Sequence, residues 1–239
     1  MRQGVTVDNE TKNSVKSDTQ KQNVSGNKQK KVKKPNGFGA KVGYYVKDSL
    51  FLYSYILVGG FIGAALMYMQ KNDIIKNYVA AIFAVINAAL YCVVARNIFY
   101  KTGEDAAVSK HANDVERRQM IETDNYFELD KTKEYDIKKA IIFAVIGIFP
   151  QVILLLIKTV GTIFAGNFTA LDGGIRFLCG IIYPVFYAFD ETASAFYGAF
   201  AIIIIVVPVI LGYYFGAKKA SKVYEKAEKL KEEFGDSGK

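Results

Sequence analysis

The stretch GGIRFLCGIIYPVFYAFDE, residues 173–191, decides how this chain is arranged relative to a membrane. It is apolar enough to be buried in lipid, yet Arg176 stands near its start and Pro184 near its middle. Its apolar part, residues 175–189, is about fifteen residues long, whereas a helix that crosses the hydrocarbon core needs about 20. Proline also breaks the hydrogen-bond ladder of a helix. We therefore interpret the segment as a helix, kinked at Pro184, that lies on the membrane or dips into it.

Four longer apolar blocks do reach the length of a membrane-spanning helix. Each is free of charged residues: 50–69, 78–95, 140–157 and 192–217. A helix rising 1.5 Å per residue crosses a core of roughly 30 Å with about 20 residues. Because each block is apolar around its whole circumference, a soluble helical protein is disfavoured. The sequence predicts an all-α integral membrane protein with four transmembrane helices.

The charged stretches between the blocks set the domain boundaries. The predicted organisation is a disordered basic tail (1–48), a four-span domain (49–217) and a helical tail (218–239). The predicted spans of the membrane domain are 49–69, 77–98, 140–163 and 193–217. A charged loop, 101–139, is predicted between the second and third spans. An apolar external segment, 166–191, is predicted between the third and fourth. The external segment contains the interfacial or re-entrant helix described above.

Lysine and arginine are distributed unevenly among the connections. They crowd the N-terminal tail, the 101–139 loop and the C-terminal tail, and they are sparse in the 71–76 turn and in 166–191. Because cytoplasmic loops carry the excess of Lys and Arg, we expect both termini and the loop to be cytoplasmic. This pattern requires an even number of crossings. The alternative is a fifth crossing at 175–189, which would place the C-terminal tail outside.

Two clusters of lysines flank the membrane domain. The first belongs to the N-terminal tail, which has too few apolar residues to fold alone, and we expect no regular helix around Pro35, Gly37 and Gly39. Both clusters are predicted to contact anionic lipid headgroups, at about 1 kcal/mol per residue. The residues are Lys30, Lys31, Lys33, Lys34, Lys218, Lys219 and Lys222. Nucleic-acid binding is disfavoured, because no nucleic-acid-binding motif accompanies them.

Small and polar residues in the spans indicate how the helices associate. Close packing between helices is predicted at two GxxxG pairs, Gly59 with Gly63 and Gly212 with Gly216. Asn87 and Gln151 lie near the middle of the second and third spans, and we predict that they make interhelical polar contacts. The alternative places both in a polar substrate path, although no Asp, Glu or His lies at the middle of any span.

The C-terminal tail is predicted to continue the fourth span as a helix. An apolar stripe recurs along it at three- or four-residue steps, at Ala220, Val223, Ala227, Leu230 and Phe234. Such a stripe needs cover, and we expect it to pack on the 101–139 loop. Gly235 stands where a helix C-cap is expected.

Motifs of catalysis are missing from the sequence. It contains no Walker-type loop, no GxGxxG, HExxH, CxxC or GxSxG, and its only histidine, His111, lies in the charged loop. We therefore predict no catalytic, metal or cofactor residue and no enzymatic activity. The leading hypothesis is a non-catalytic accessory or interaction component of the cytoplasmic membrane, with a membrane-protein partner or a second copy of itself. The alternative is a subunit of a small oligomeric transporter or channel.

Overall fold

A computed structural model describes residues 38–166, 168–190, 192 and 194–235 of the chain. All regular structure in these residues is helical, so the all-α prediction is confirmed for them. In chain order the elements are α1 (Phe38–Lys71), α2 (Asn77–Thr123), α3 (Ile137–Ala165), α4 (Asp172–Leu178), α5 (Tyr183–Phe189), a single 3-10 turn (Ala195–Gly198) and α6 (Ala199–Gly235).

Four of these helices are long and apolar enough to cross a membrane, as predicted. The qualifying segments are Val42–Lys71, Asn77–Thr123, Ile137–Ala165 and Ala195–Phe234. By length and composition, α1, α2, α3 and α6 are therefore the candidate membrane spans. A polar cap fixes the start of α3, where the carboxylate of Asp136 accepts a hydrogen bond of 2.9 Å from the backbone N–H of Lys138.

Helix α1 begins earlier than the sequence suggested. Residues 1–37 of the predicted tail lie outside the described residues, but residues 38–48 are helical, although Gly39 was expected to oppose a helix there. Packing explains the difference, because the rings of Tyr44 and Tyr45 lie 5.7 Å and 5.2 Å from the ring of Phe143 on α3. Contacts with α3 thus outweigh the weak local propensity.

The predicted loop 101–139 is largely helical, which corrects its assignment. Helix α2 runs without interruption through 47 residues to Thr123, and Asp124 ends it in a left-handed conformation. Helix α6 likewise continues to Gly235. At 1.5 Å per residue these helices are about 70 Å and 55 Å long, well beyond a hydrocarbon core of about 30 Å. We call the part of both helices beyond Tyr100 and Ala217 the projecting pair.

The four long helices form a bundle in which α1 and α6 occupy opposite corners. Helix α2 packs against α6 and α1, and α3 packs against the same two helices. Six aromatic rings join the helices at the base of the projecting pair, with neighbouring centroids 5.2–6.2 Å apart. They belong to Tyr44, Tyr45, Phe99, Tyr135, Phe143 and Tyr213.

Helices α2 and α6 approach each other closely at glycines. A Cβ atom on Gly212 would lie 2.6 Å from the carbonyl oxygen of Arg96, and one on Gly216 would lie closer still to that of Tyr100. Gly103 faces the carbonyl of Tyr213 in the same way. The predicted pair Gly212 and Gly216 therefore packs within one chain, where the backbones approach to the distance of Cα–H···O contacts.

The apolar segment between α3 and α6 is not one kinked helix. It forms α4 and α5, and the break lies at residues 179–182, before Pro184. Pro184 occupies the first turn of α5, where the missing backbone N–H costs nothing. The expected kink at Pro184 was therefore wrong, because the proline starts a helix instead of bending one.

We expect the free energy of unfolding to depend on the close glycine contact between α2 and α6. Gly216→Ala should destabilise the folded protein by about 1–3 kcal/mol, because the added methyl overpacks a backbone contact. Thermal unfolding in mild detergent measures this effect.

Gly43→Ala is the matched control, since a Cβ at Gly43 meets nothing within 4 Å. Alanine has the higher helix propensity, so this control should be neutral or stabilising. Equal effects of the two substitutions would contradict a close contact at Gly216.

Candidate functional site

The projecting pair is held together outside the bundle by side chains of both helices. His111 of α2 stacks on Tyr224 of α6, with ring centroids 4.1 Å apart and planes inclined by 14°. Below this stack, Ala107 packs with Ala217 and Ala220. An exposed ion pair of 3.2 Å joins Arg118 and Glu228, and such a pair adds little stability. The aromatic stack and the alanine contact therefore set which face of α6 turns towards α2.

That choice turns most of the predicted apolar stripe away from α2. Of its members only Ala220 is buried, whereas Val223, Leu230 and Phe234 are 58%, 53% and 70% exposed. The expectation that the stripe packs on residues 101–139 was therefore wrong beyond Ala220. Tyr224, which follows Val223, points to α2 instead. Val223, Ala227, Leu230 and Phe234, which we call the outer stripe, lie on the exposed surface of the pair.

A basic groove lies on α6 at the base of the projecting pair. Its volume is about 530 Å³, and its lining includes the apolar residues Phe215 and Val223. The remaining lining residues are all lysines, and no carboxylate lines the groove. They are Lys218, Lys219, Lys222 and Lys226. The three lysines predicted to contact lipid headgroups are thus brought together, and Lys226 joins them because it lies one helical turn beyond Lys222.

The linker from α2 to α3 folds back along α2 and is braced by charged side chains. The ammonium group of Lys139 donates to the carbonyls of Lys131, Thr132 and Glu134. The carboxylate of Glu134 accepts hydrogen bonds from Arg117 at 2.5 Å and from Asn113 at 2.6 Å. These bonds fix the linker, because each satisfies a group that would otherwise be partly buried without a partner.

Two further features belong to the same linker. Tyr135 stacks on Tyr213 with ring centroids 5.5 Å apart, and burial raises the pKa of its hydroxyl. A cavity of about 560 Å³ opens between the linker and the ends of α1, α2 and α3, and its wall includes Arg117, Thr132 and Lys139. Arg117 and Lys139 already have protein partners, and the rest of the lining carries charges of both signs, on Glu128, Asp130 and Lys131.

At the opposite end of the bundle, α4 and α5 insert against α1. A Cβ on Gly60 would lie 2.6 Å from the carbonyl oxygen of Phe177, and one on Gly63 would lie closer still to that of Gly180. Gly59 faces Ile181 in the same way, at 2.6 Å from its side chain. The predicted packing residues Gly59 and Gly63 thus receive the inserted segment. Their neighbour Gly60 contributes equally and was missed, since GxxxG spacing does not include it.

A buried ion pair anchors the inserted segment to α3. Lys158 donates to the carboxylate of Asp172 and, at 3.2 Å, to the carbonyl of Phe168. The side chains of Lys158 and Asp172 are 7% and 22% exposed. Sequence reasoning assigned Lys158 to a span end that reaches towards water and did not pair it. The fourteen-residue separation from Asp172 spans a helix end and a loop, and it carries no periodic signal.

The polar residues predicted at membrane depth, Asn87 and Gln151, do not pair with each other. The Asn87 amide donates to the carbonyl of Gly59 on α1 at 3.4 Å, which is an interhelical contact. Gln151 is buried on α3, and neither atom of its amide group has a hydrogen-bond partner in the described part of the chain. The lysines at 30, 31, 33 and 34 lie outside the described residues.

Within the described ranges, no group of three or more His, Cys, Asp or Glu side chains is arranged to hold a metal ion. The two cysteines, Cys92 and Cys179, are free thiols. Comparison of the chain with protein-family models, with curated proteins and with solved structures gives no match. The basic groove and the outer stripe are therefore the candidate functional surfaces.

Removing one member of the buried ion pair should destabilise the membrane domain. We expect Asp172→Asn to cost about 3 kcal/mol, because it leaves the ammonium group of Lys158 buried without a counter-charge. Thermal unfolding in mild detergent is the measurement.

The double variant Lys158→Met with Asp172→Asn should recover part of that loss, since no unpaired charge then remains. A double variant less stable than Asp172→Asn alone would show that the ammonium group of Lys158 does not need the carboxylate of Asp172 as a counter-charge.

Proposed function

We propose that this chain is a non-catalytic multi-pass protein of the cell membrane that acts as an interaction component. In this proposal the bundle is the anchor, and the projecting pair presents the outer stripe to a second protein. The observation that carries the proposal is the exposure of Val223 and Leu230 on a helix that continues beyond the apolar part of the chain. Contiguous exposed apolar surface of this kind is typical of a protein–protein contact.

Lipid is a poor explanation for the exposure of the outer stripe. The apolar part of α6 with its 3-10 turn, residues 195–217, already has the length needed to cross a hydrocarbon core of about 30 Å. Beyond it, charged residues surround the stripe on every turn, including Lys229, Lys231, Glu232 and Glu233. An apolar stripe one side chain wide between charged flanks suits another helix laid against it.

We expect substitution of the outer stripe to detach the partner without unfolding the bundle. Leu230→Ser with Phe234→Ser removes most of the apolar contact surface, and should reduce the partner recovered with the protein from native membranes by at least about tenfold, equivalent to 1.4 kcal/mol. Blue-native electrophoresis after mild solubilisation measures the change, as loss of a complex larger than the 26.6 kDa chain.

The control is Lys231→Ser with Glu232→Ser, which alters the same helix beside the stripe and leaves its net charge unchanged. It should preserve the complex. If the wild-type chain migrates as a monomer, or if the control detaches the partner equally, the outer stripe is not the contact surface.

We propose further that the basic groove holds the headgroup of an anionic phospholipid. Four lysines line it, together with the apolar side chains of Phe215 and Val223, and it lies where α6 leaves its apolar segment. Phosphate groups of lipid would lie at this level if residues 195–217 cross the membrane. A lysine near an anionic surface contributes about 1 kcal/mol.

Native mass spectrometry of the protein released from lipid nanodiscs tests the groove. The triple variant Lys218→Gln, Lys222→Gln and Lys226→Gln should bind phosphatidylglycerol about 100-fold more weakly, as three lysines supply about 3 kcal/mol. Retention of phosphatidylcholine should not change. Lys229→Gln with Lys231→Gln is the control for charge alone, and an equal loss in that control would argue against a defined groove.

The orientation follows from the positive residues of the projecting end. We propose that the projecting pair and both termini are cytoplasmic, because that end carries most of the lysines and arginines. The inserted helices α4 and α5 then lie on the external side as a re-entrant segment, and no fifth crossing exists.

Reporter fusions test the orientation. A fusion at Lys239 should give a cytoplasmic signal, and one within residues 169–174 should give an external signal. An external signal at Lys239 would contradict the four-span orientation.

A further inference from the structure

Among the buried polar side chains of the bundle that have no hydrogen-bond partner in the described residues, two lie away from its aromatic end. They are Tyr91 on α2, which is 4% exposed, and Gln151 on α3, which is 1% exposed. The hydroxyl of Tyr91 and both amide atoms of Gln151 are unsatisfied. A buried polar group without a partner costs about 1–3 kcal/mol. A small polar molecule that bonds to these three atoms would remove that cost.

The two side chains lie at the same level of the bundle. The rings of Phe99 on α2 and Phe143 on α3 are in contact, with centroids 5.4 Å apart. Helices α2 and α3 run in opposite directions, as successive spans do. Tyr91 precedes Phe99 by eight residues and Gln151 follows Phe143 by eight, so both lie about 12 Å beyond the aromatic contact, towards the inserted segment.

The two side chains also face the same interior space. Helices α2 and α3 occupy opposite corners of the bundle, because each packs against α1 and α6. Tyr91 shares its helix face with the buried Ala95 and Phe99, and Gln151 shares its face with the buried Phe143 and Gly147. Tyr91 and Gln151 therefore extend towards each other from opposite corners.

The other two corners offer these groups no polar side chain. At this level α1 contributes Ile56 and α6 contributes Ile205, and both are buried in the same apolar cluster. The layer therefore consists of two hydrogen-bonding side chains and two aliphatic ones. None of the four carries a charge, so the layer suits a neutral ligand and disfavours a bare ion, which would lose its hydration shell without a counter-charge.

We propose that Tyr91 and Gln151 form an internal site that binds water at the centre of the bundle. The phenolic hydroxyl and the amide each donate and accept hydrogen bonds. A water between them can both donate to the amide oxygen and accept from the hydroxyl or the amide nitrogen. Buried waters typically make about three hydrogen bonds to groups that would otherwise be unsatisfied. The bridge links α2 to α3 at a second level, beyond the contact of Phe99 with Phe143.

Water-edited solid-state NMR of protein labelled with ¹⁵N-glutamine in lipid bilayers tests the site. Magnetisation should pass from water to the side-chain amide of Gln151, although this residue is buried. The exposed Gln119 is the positive control. Loss of one amide signal in Gln151→Met assigns the resonance, and Gln151→Asn serves if that variant does not fold. Transfer at Gln119 without transfer at Gln151 would overturn the proposal, whether the site is dry or the two side chains bond directly.

Tyr91→Phe separates a shared site from hydration of Gln151 alone. The variant keeps the ring and removes only the hydroxyl, so the signal transferred from water to Gln151 should fall to background. Tyr55→Phe on the exposed face of α1 is the matched control and should leave the transfer unchanged. Undiminished transfer in Tyr91→Phe would mean that Tyr91 does not hold the water, and the two-residue site would be wrong.

Discussion

The close contact between α2 and α6 is the interaction on which the rest of the structure depends. In lipid there is little hydrophobic gain when two apolar helices meet, so association relies on close packing. Gly103, Gly212 and Gly216 remove the side chains that would keep the two backbones apart. Because the contact begins inside the apolar segments and continues into the charged ones, it carries both helices out of the bundle as one pair. The outer stripe and the basic groove exist on α6 only because its other face is occupied.

Glycines also allow a close backbone contact at the opposite end of the bundle, between α1 and the segment that contains α4 and α5. Gly60 and Gly63 admit the backbone of residues 177–180, so the short helices α4 and α5 pack closely against α1. The ion pair between Lys158 and Asp172 then ties the segment to α3, with the charges neutralised where they are buried. Two glycine contacts thus determine which parts of the chain project and which fold back.

The sequence was sufficient for the four long helices and insufficient for their ends. An uncharged block of about 20 residues has few alternatives to a membrane-spanning helix, whereas no such block signals that α2 continues without a break through residues 101–123. The stripe on α6 was recognised, but its partner was not. The stack of His111 on Tyr224 and the contacts of small alanines set which face of α6 turns towards α2. Neither feature forms a periodic pattern of hydrophobic residues in the sequence. Pairings such as Lys158 with Asp172 depend on tertiary geometry that composition and spacing do not encode.

The two surfaces on α6 are not independent, because Val223 belongs to both. It forms part of the groove wall with Lys222 and Lys226, and it begins the outer stripe. A partner helix laid along the stripe would cover Val223 and narrow the groove, so a lipid in the groove would become part of the contact. A lysine-lined groove also disfavours a partner with positive charge at its membrane-proximal end, through like-charge repulsion. If the outer stripe binds a second protein, as proposed, the partner that fits is a helix with an apolar seam and with neutral or acidic residues near the groove.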